Sequence, residues 1–219
     1  MSHAFADIAF TASVKAAQQR AGSRAGYAHN FEGDASLSND RLGAAETDFI
    51  AAQRSFYMAT VSETGWPYLQ HRGGPRGFLK VLDAKTLAFA DYAGNRQLIS
   101  VGNLALNDRV ALILVDYAKR VRLKLLGRLA VKDLAPQDAL AKTLVDPGYR
   151  ARPQRTMVIA IEGFDWNCPQ HIPLRIDADE VQSALDQRDA RIAELEAQLA
   201  HRAAGSHAPA FENEGEISA

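Results

Sequence analysis

Between residues 65 and 97, short apolar runs end in side chains rich in hydrogen-bond donors: Gln70, His71 and Arg72, then Lys80, then Asp91 and Tyr92, then Asn95, Arg96 and Gln97. Guanidinium, ammonium and amide groups converging from strand ends are what a terminal phosphate and a polar heterocycle require. The run Gly94-Asn95-Arg96-Gln97 stands just before an apolar pattern of helical period. A helix start there offers unpaired backbone N–H groups beside a cation, which is an anion site. Any one arginine or lysine at a strand end is more often a solvated surface charge. It is the clustering that speaks for a ligand.

A second group follows from Trp166 to His171. A histidine beside a cofactor can act as general acid or base because the unperturbed imidazole titrates near neutrality, which makes His171 and His71 candidates, although a lone histidine in a β-rich domain is more often packed and hydrogen-bonded. Cys168 has no flanking cation to lower its thiol pKa, so it reads as a packed thiol or one beside a cofactor. Trp166 suits a pocket wall and core packing equally. Metal ligation by the two histidines needs carboxylate partners that the sequence does not place, so no metal is expected.

These side chains need elements to hold them. Residues 5–26 carry Ile8, Val14 and Ala17 at helical spacing, 30–41 read as a loop, and 44–53 as a helix with Phe49 and Ile50 inward. The N-terminal pieces together suggest a lid over a domain. Residues 56–61 and 66–71 form a β-hairpin about the Glu63-Thr64-Gly65 turn. Strands are expected at 78–82 and 86–90, a helix at 96–106 with Asn95 as its N-cap, long strands at 109–116 and 120–131, a short helix at 136–144 and a last strand at 156–162. Trp166 to His171 then leave the last strand as a loop, since Pro169 and Pro173 stop a ladder or a helix. Short strands with few helices and frequent Gly or Pro turns indicate a barrel, mainly β with flanking helices in the α+β class. Residues 179–201 place Val181, Leu185, Ile192, Leu195 and Leu199 on alternating four- and three-residue steps, broken by Arg188. That is an amphipathic helix with a coiled-coil-like seam, able to pack on its own domain or to pair with the same helix of a second subunit.

Composition narrows the function. The chain has 219 residues, 47% of them hydrophobic, with a formal charge of −1. That is enough for one sizeable core, and too little positive charge for wholesale binding of nucleic acid or anionic membrane. Its one cysteine excludes an internal disulfide framework. No apolar run approaches the ~20 residues of a membrane span, and the first residues lack signal-peptide character, so a cytoplasmic protein is expected.

The order of these motifs resembles the pyridoxamine 5′-phosphate oxidase-like family of FMN-binding split barrels. It consists of the Gly65-Trp66-Pro67-Tyr68 hairpin, the strand at Lys80-Val81-Leu82-Asp83, Ala90-Asp91-Tyr92, Gly94-Asn95-Arg96-Gln97, and Asn107-Asp108-Arg109-Val110-Ala111-Leu112. The resemblance spans residues 44–131, and the run from Trp166 to Ile172 looks like a signature of a less characterised branch. It implies a homodimer with FMN at the interface. It further implies a phosphate held by Arg72 and Lys80 on adjacent strands and by an Asn95-Arg96-Gln97 triplet, with Arg122 or Lys124 on the isoalloxazine side. Trp166, Asn167, Cys168, Gln170 and His171 would line the substrate side, with His171 the proton donor. The Gly73–Gly77 insertion before Lys80 and the Gln97 that ends the triplet depart from the family pattern. The Arg-x-His motif that grips the vitamin B6 substrate is absent, Pro169 to Arg175 standing in its place, which disfavours that substrate. Three functions stay open: an FMN-dependent oxidoreductase acting on a small molecule, a binder of FMN or a related cofactor such as haem or deazaflavin, and a partner-binding module using the C-terminal helix. The expected organisation is an extension at 1–43, the split barrel at 44–176, the amphipathic helix at 177–203 and a disordered tail at 204–219.

Overall fold

Phe56, Met58 and Thr60 are buried and alternate with more exposed neighbours along β1 (Ser55–Val61), the period of a strand with one buried face. β1 pairs with β2 (Pro67–Gly73) from Ser55↔Gly73 to Val61↔Pro67. Gly65 closes the turn at φ 85°, a left-handed value that costs glycine nothing. β3 (Lys80–Asp83) and β4 (Thr86–Tyr92) form a second hairpin, and β5 (Arg109–Asp116) and β6 (Val121–Asp133) a third. β7 (Pro153–Asn167) lies between β6 and β4. All pairs are antiparallel, in the order β2-β1-β5-β6-β7-β4-β3.

The computed structural model describes residues 3–32, 38–135, 137–167 and 169–205. It divides into two units, Met1–Pro173 and Leu174–Ala219. The first is the seven-stranded split-barrel sheet with flanking helices, an α+β fold. Its core runs through Phe56, Met58, Leu87, Phe89, Leu114, Leu123, Leu125, Met157 and Ile159, each at most 1% exposed. Phe78, just after the Gly73–Gly77 connection, stacks on Phe56 with ring centroids 5.5 Å apart, and both meet Phe89 edge-on. That cluster draws the two ends of the sheet together. β4 is buried on both faces: Leu87 and Phe89 enter the core, while Ala88 and Ala90 are small enough for Leu144 of α6 (Ala139–Leu144) to pack against them. At the bulge between Leu126 and Gly127, a Cβ on Gly127 would lie 2.4 Å from the Ala160 carbonyl oxygen. Only glycine fits there.

α4 (Ala44–Ala52) starts on a two-handed contact from Glu46. One carboxylate oxygen accepts the Gly43 amide at 2.8 Å and the other accepts Trp166 Nε1 at 2.7 Å, while Phe49 meets the Trp166 ring edge-on. Trp166 is therefore a packing residue under α4. It and Asn167 belong to β7, which runs to Asn167, not to a loop after the last strand; only the segment beyond leaves the sheet. The helix expected at 96–106 starts three residues later, as α5 (Ile99–Leu106). Arg96 and Leu98 have φ of 61° and 56°, so the helix cannot extend back through them, and Leu98 occupies the N-cap. Asn95 does not cap it. Its side chain accepts the Gln97 amide at 3.2 Å in a local turn. The connection before Lys80 also carries β3 away from β2. They stand at opposite ends of the sheet order instead of being the adjacent strands expected for Lys80 and Arg72.

The N-terminal segment folds as α1 (Ala4–Ala9), α2 (Ala12–Arg20) and α3 (Arg24–Glu32), so helix continues into the start of the stretch read as loop. α1 rests on β7 at Gly163, where a Cβ would lie 2.6 Å from the Phe5 amide nitrogen. His3, 4% exposed, caps α1 by accepting the Ala6 amide on Nδ1 and lies 4.6 Å from the Phe31 ring. Burial outweighs the pull of Asp165 and Asp7 and holds the imidazole below its ordinary pKa of 6.5. The unfolded arm thus takes up its proton first. The stability contributed by neutral His3 is complete above pH 6.5 and is lost as pH falls from 6.5 towards the lowered folded value. Hydrogen exchange of the α1 amides, read against pH, should show protection falling through that window, with the dependence flattened in His3→Gln. Protection that falls identically in both would assign the effect to another group.

The second unit contains one helix, α7 (Ala178–Gly205), which includes the first two residues of the stretch expected as a disordered tail. The remainder of that stretch, 206–219, lies outside the described residues. No described helix is long and apolar enough to cross a membrane.

Candidate functional site

Alternation along β2 sends Gln70 and Arg72 to one face and His71 to the other, where it meets Tyr57 edge-on. Arg72 faces β4 and its guanidinium binds Asp91. The second Asp91 oxygen takes Arg155 Nε at 2.9 Å, because β4 pairs with β7 in the register Asp91↔Arg155. Asp91 is 4% exposed, so one deeply buried carboxylate joins two guanidinium groups. A buried charge persists only when paired and hydrogen-bonded. Here the pairing leaves one positive charge over.

Around this triad lies a cavity of about 60 Å³, lined by Gln70, Arg72, Asp91, Tyr92, Arg155 and the segment from Gly94 to Leu98, and closed by Ser100 and Val101 of α5. Ser100 is buried and donates to Gln70 Oε1 at 3.0 Å, which fixes the start of α5 against β2. Asn103 donates to Thr60 at 3.0 Å one turn later. The first amides of a helix have no partner within it, and the α5 start borders the cavity. With Arg96, three guanidinium groups face one carboxylate, so the cavity is positive. Its size suits a few waters or one tetrahedral anion, not a fused ring system. A neighbouring cleft of about 150 Å³ shares Gln70, Arg72, Asp91 and Tyr92 and continues between β2 and β4 past His71, Gly73, Phe78 and Phe89.

Two polar atoms here are buried without a hydrogen-bond partner among the described residues: Arg72 Nε and Tyr92 Oη. Tyr92 packs edge-on against Tyr149, and burial, with Tyr149 and Asp146 nearby, pushes its phenol above the usual value. At neutral pH it stays an O–H donor. Both orphaned atoms are donors, each costing of order 1–3 kcal/mol while unmet, and both belong to residues that line a positive cavity. An anionic oxygen in the cavity supplies what Arg72 Nε lacks, so the residues present fit a phosphate.

The structure brings together Gln70, Arg72, Asp91, Tyr92, Asn95, Arg96 and Gln97 from the sequence-based set. Lys80 is not among them. It lines a separate cleft of about 240 Å³ with Pro75, Arg76, Phe78 and residues 143–147 around the end of α6. Arg122 and Lys124 of β6 pair with the far end of β7: Arg122 lies opposite Asn167, twelve residues along β7 from Arg155, a contour of about 40 Å at ~3.3 Å per residue. Lys124 is engaged by Asp165 at 3.0 Å and sits 4.7 Å from the Phe5 ring centroid. Arg122 Nε is buried with no partner among the described residues. Gln170 and His171 are exposed, His171 at φ 63°, and neither lines the Arg72 cavity. Cys168 lies outside the described residues.

Arg155, Gln154 and Ser100 line the cavity and were missed from the sequence. A buried Asp91 demands a cation, which was the available signal. Finding Arg155 needs the register of two strands 64 residues apart.

The sequence profile of the family described as pyridoxamine 5′-phosphate oxidase matches residues 42–163. Among solved structures, HupZ of Group A Streptococcus is 16% identical, covers 62% of this chain and 100% of its own, and has a TM-score of 0.47. A putative pyridoxamine 5′-phosphate oxidase of Lactobacillus delbrueckii is 19% identical over 59% of this chain and 97% of its own, with a TM-score of 0.45. An FMN-binding protein of Syntrophomonas wolfei is 16% identical over 56% and 83%, with a TM-score of 0.42. No curated protein matches the chain.

Proposed function

The chain belongs to the pyridoxamine 5′-phosphate oxidase family, and from that premise we propose that it is a homodimeric flavoprotein that holds FMN by its phosphate and exchanges hydride or electrons with a small molecule. The observation that carries this reading is the orphaned Nε of Arg72, a residue on the wall of a positive cavity of phosphate size. In this reading Arg72, Tyr92, Arg96 and the first amides of α5 hold the phosphate. Asp91 and Arg155 keep Arg72 extended and oriented. Bound FMN supplies the redox chemistry, and the protein supplies position and electrostatics.

The distance along β7 supports the dimer. Arg122 and the Asn167 end of the strand reach a ligand seated at Arg72 most simply if they belong to a second chain, and Arg122, with its orphaned Nε, is the better placed of the two expected cations because Lys124 is already engaged. Asn167, Gln170 and His171 extend from the same end, so the proposed substrate side follows Arg122. In this reading His171 holds or releases the proton at its imidazole.

Titration of the protein with FMN and with riboflavin, followed by flavin fluorescence, tests the phosphate assignment. One charge-assisted hydrogen bond is worth about 1.5–3 kcal/mol, so FMN should bind at least about tenfold more tightly than riboflavin. Equal affinities would leave the cavity without its proposed occupant.

A further inference from the structure

α7 presents a continuous seam in which Leu185, Ile192 and Leu199 occupy one core position of a heptad and Val181, Arg188 and Leu195 the other. Its five apolar members are 41–64% exposed. An exposed seam of this period needs an occupant, and the charges beside it specify one. We propose that α7 pairs with α7 of a second copy of this chain as a parallel, in-register two-stranded coiled coil.

In that arrangement Arg191 flanks the seam opposite the partner's Glu196, five residues on, twice by symmetry. Arg188, a charged knob in the core, inserts beside the partner's Asp189 in a hole otherwise made by Leu185, Arg188 and Ile192. Both cations thus meet carboxylates. An antiparallel pair centred on the same seam sets Arg191 against Arg191 and Asp189 against Asp189, so charge selects the parallel form. Within one helix Arg191 already binds Glu194 at 2.6 Å, which keeps its side chain extended along the helix surface. Ile192 and Leu195, β-branched at one core position and leucine at the next, favour two strands. Arg188 sets the register at a cost in stability, since a one-heptad slip sets it against Val181 or Leu195. A seam of under three heptads is weak alone. Its strength, though not its pairing rule, rests on the homodimer proposed above, which raises the effective concentration of one helix for the other.

The test uses the full chain with its one native cysteine removed (C168S) and a new thiol added at Leu195→Cys in the seam or at Ala197→Cys on the opposite face. Under the same mild oxidation, L195C should form disulfide-linked dimers at least about tenfold faster than A197C. Mixed L185C and L195C chains should yield few hetero-linked dimers. Equal rates for L195C and A197C would overturn the coil, and rapid L185C–L195C linkage would overturn its parallel sense. Repeating the reaction with and without added FMN separates this proposal from the flavin reading: the seam preference stands or falls by the ratio of rates, and the flavin reading by binding.

Discussion

Asp91→Ala should lower the free energy of unfolding by about 3–5 kcal/mol, the scale for removing one partner from a buried ionic cluster. The carboxylate is shared by Arg72 and Arg155 inside the protein, and its loss leaves two guanidinium groups facing each other without compensation. Asp91→Asn retains the volume and should lose a similar amount, which separates charge from packing. Asp108→Ala is the control. Its ion pair with Arg128 is half exposed on both sides and should be worth less than about 1 kcal/mol. The same geometry predicts a rescue. Inorganic phosphate, entering between the two arginines, should raise the urea midpoint of Asp91→Ala more than that of the parent, because an anion that binds only the folded state stabilises it. A loss no larger than that of Asp108→Ala would show that the cluster is not the stabilising unit described here.

Phe78→Ala should cost a comparable ~3–5 kcal/mol, the range for emptying a phenylalanine site in a packed core. The side chain is 3% exposed and its ring touches those of Phe56 and Phe89. Phe78 also anchors the connection that brings β2 beside β4. Its loss should therefore weaken the proposed FMN binding as well, although Phe78 lines the neighbouring cleft and the Lys80 cleft and not the cavity around Arg72. Phe56→Leu supplies the comparison: a smaller core loss on a strand held by two neighbours, with flavin affinity kept. If both variants retained parental affinity, the closure would not depend on Phe78.

Much of this architecture was legible because the signals were local. The β1–β2 hairpin announces itself by alternation around Gly65, and α7 by its four- and three-residue steps. The grouping of Arg72 and Arg96 around one cavity was legible as a cluster of donors. What the sequence concealed depended on distant contacts. Gly163 reads as a strand end, yet it lies inside β7, because the backbone of Phe5 passes where a side chain would stand. Arg96 and Leu98 give no hint of left-handed backbone, so the helix appeared to begin too early. Lys80 joined the cradle by nearness in sequence, and the Gly73–Gly77 connection carries it to another cleft.

The sheet ends on β2 and β3, and an unpaired strand edge is a template on which other chains can polymerise. β3 offers little such template: it is four residues long and irregular at Val81 and Asp83. β2 has seven residues and carries the exposed Leu69, with Trp66 exposed just before it. In the folded protein the Arg72–Asp91 pair pins that edge across the split of the barrel. The same ion pair that shapes a positive cavity is thus also a guard against aggregation, and a cell that overproduces a chain lacking it should accumulate insoluble protein before it accumulates unfolded monomer.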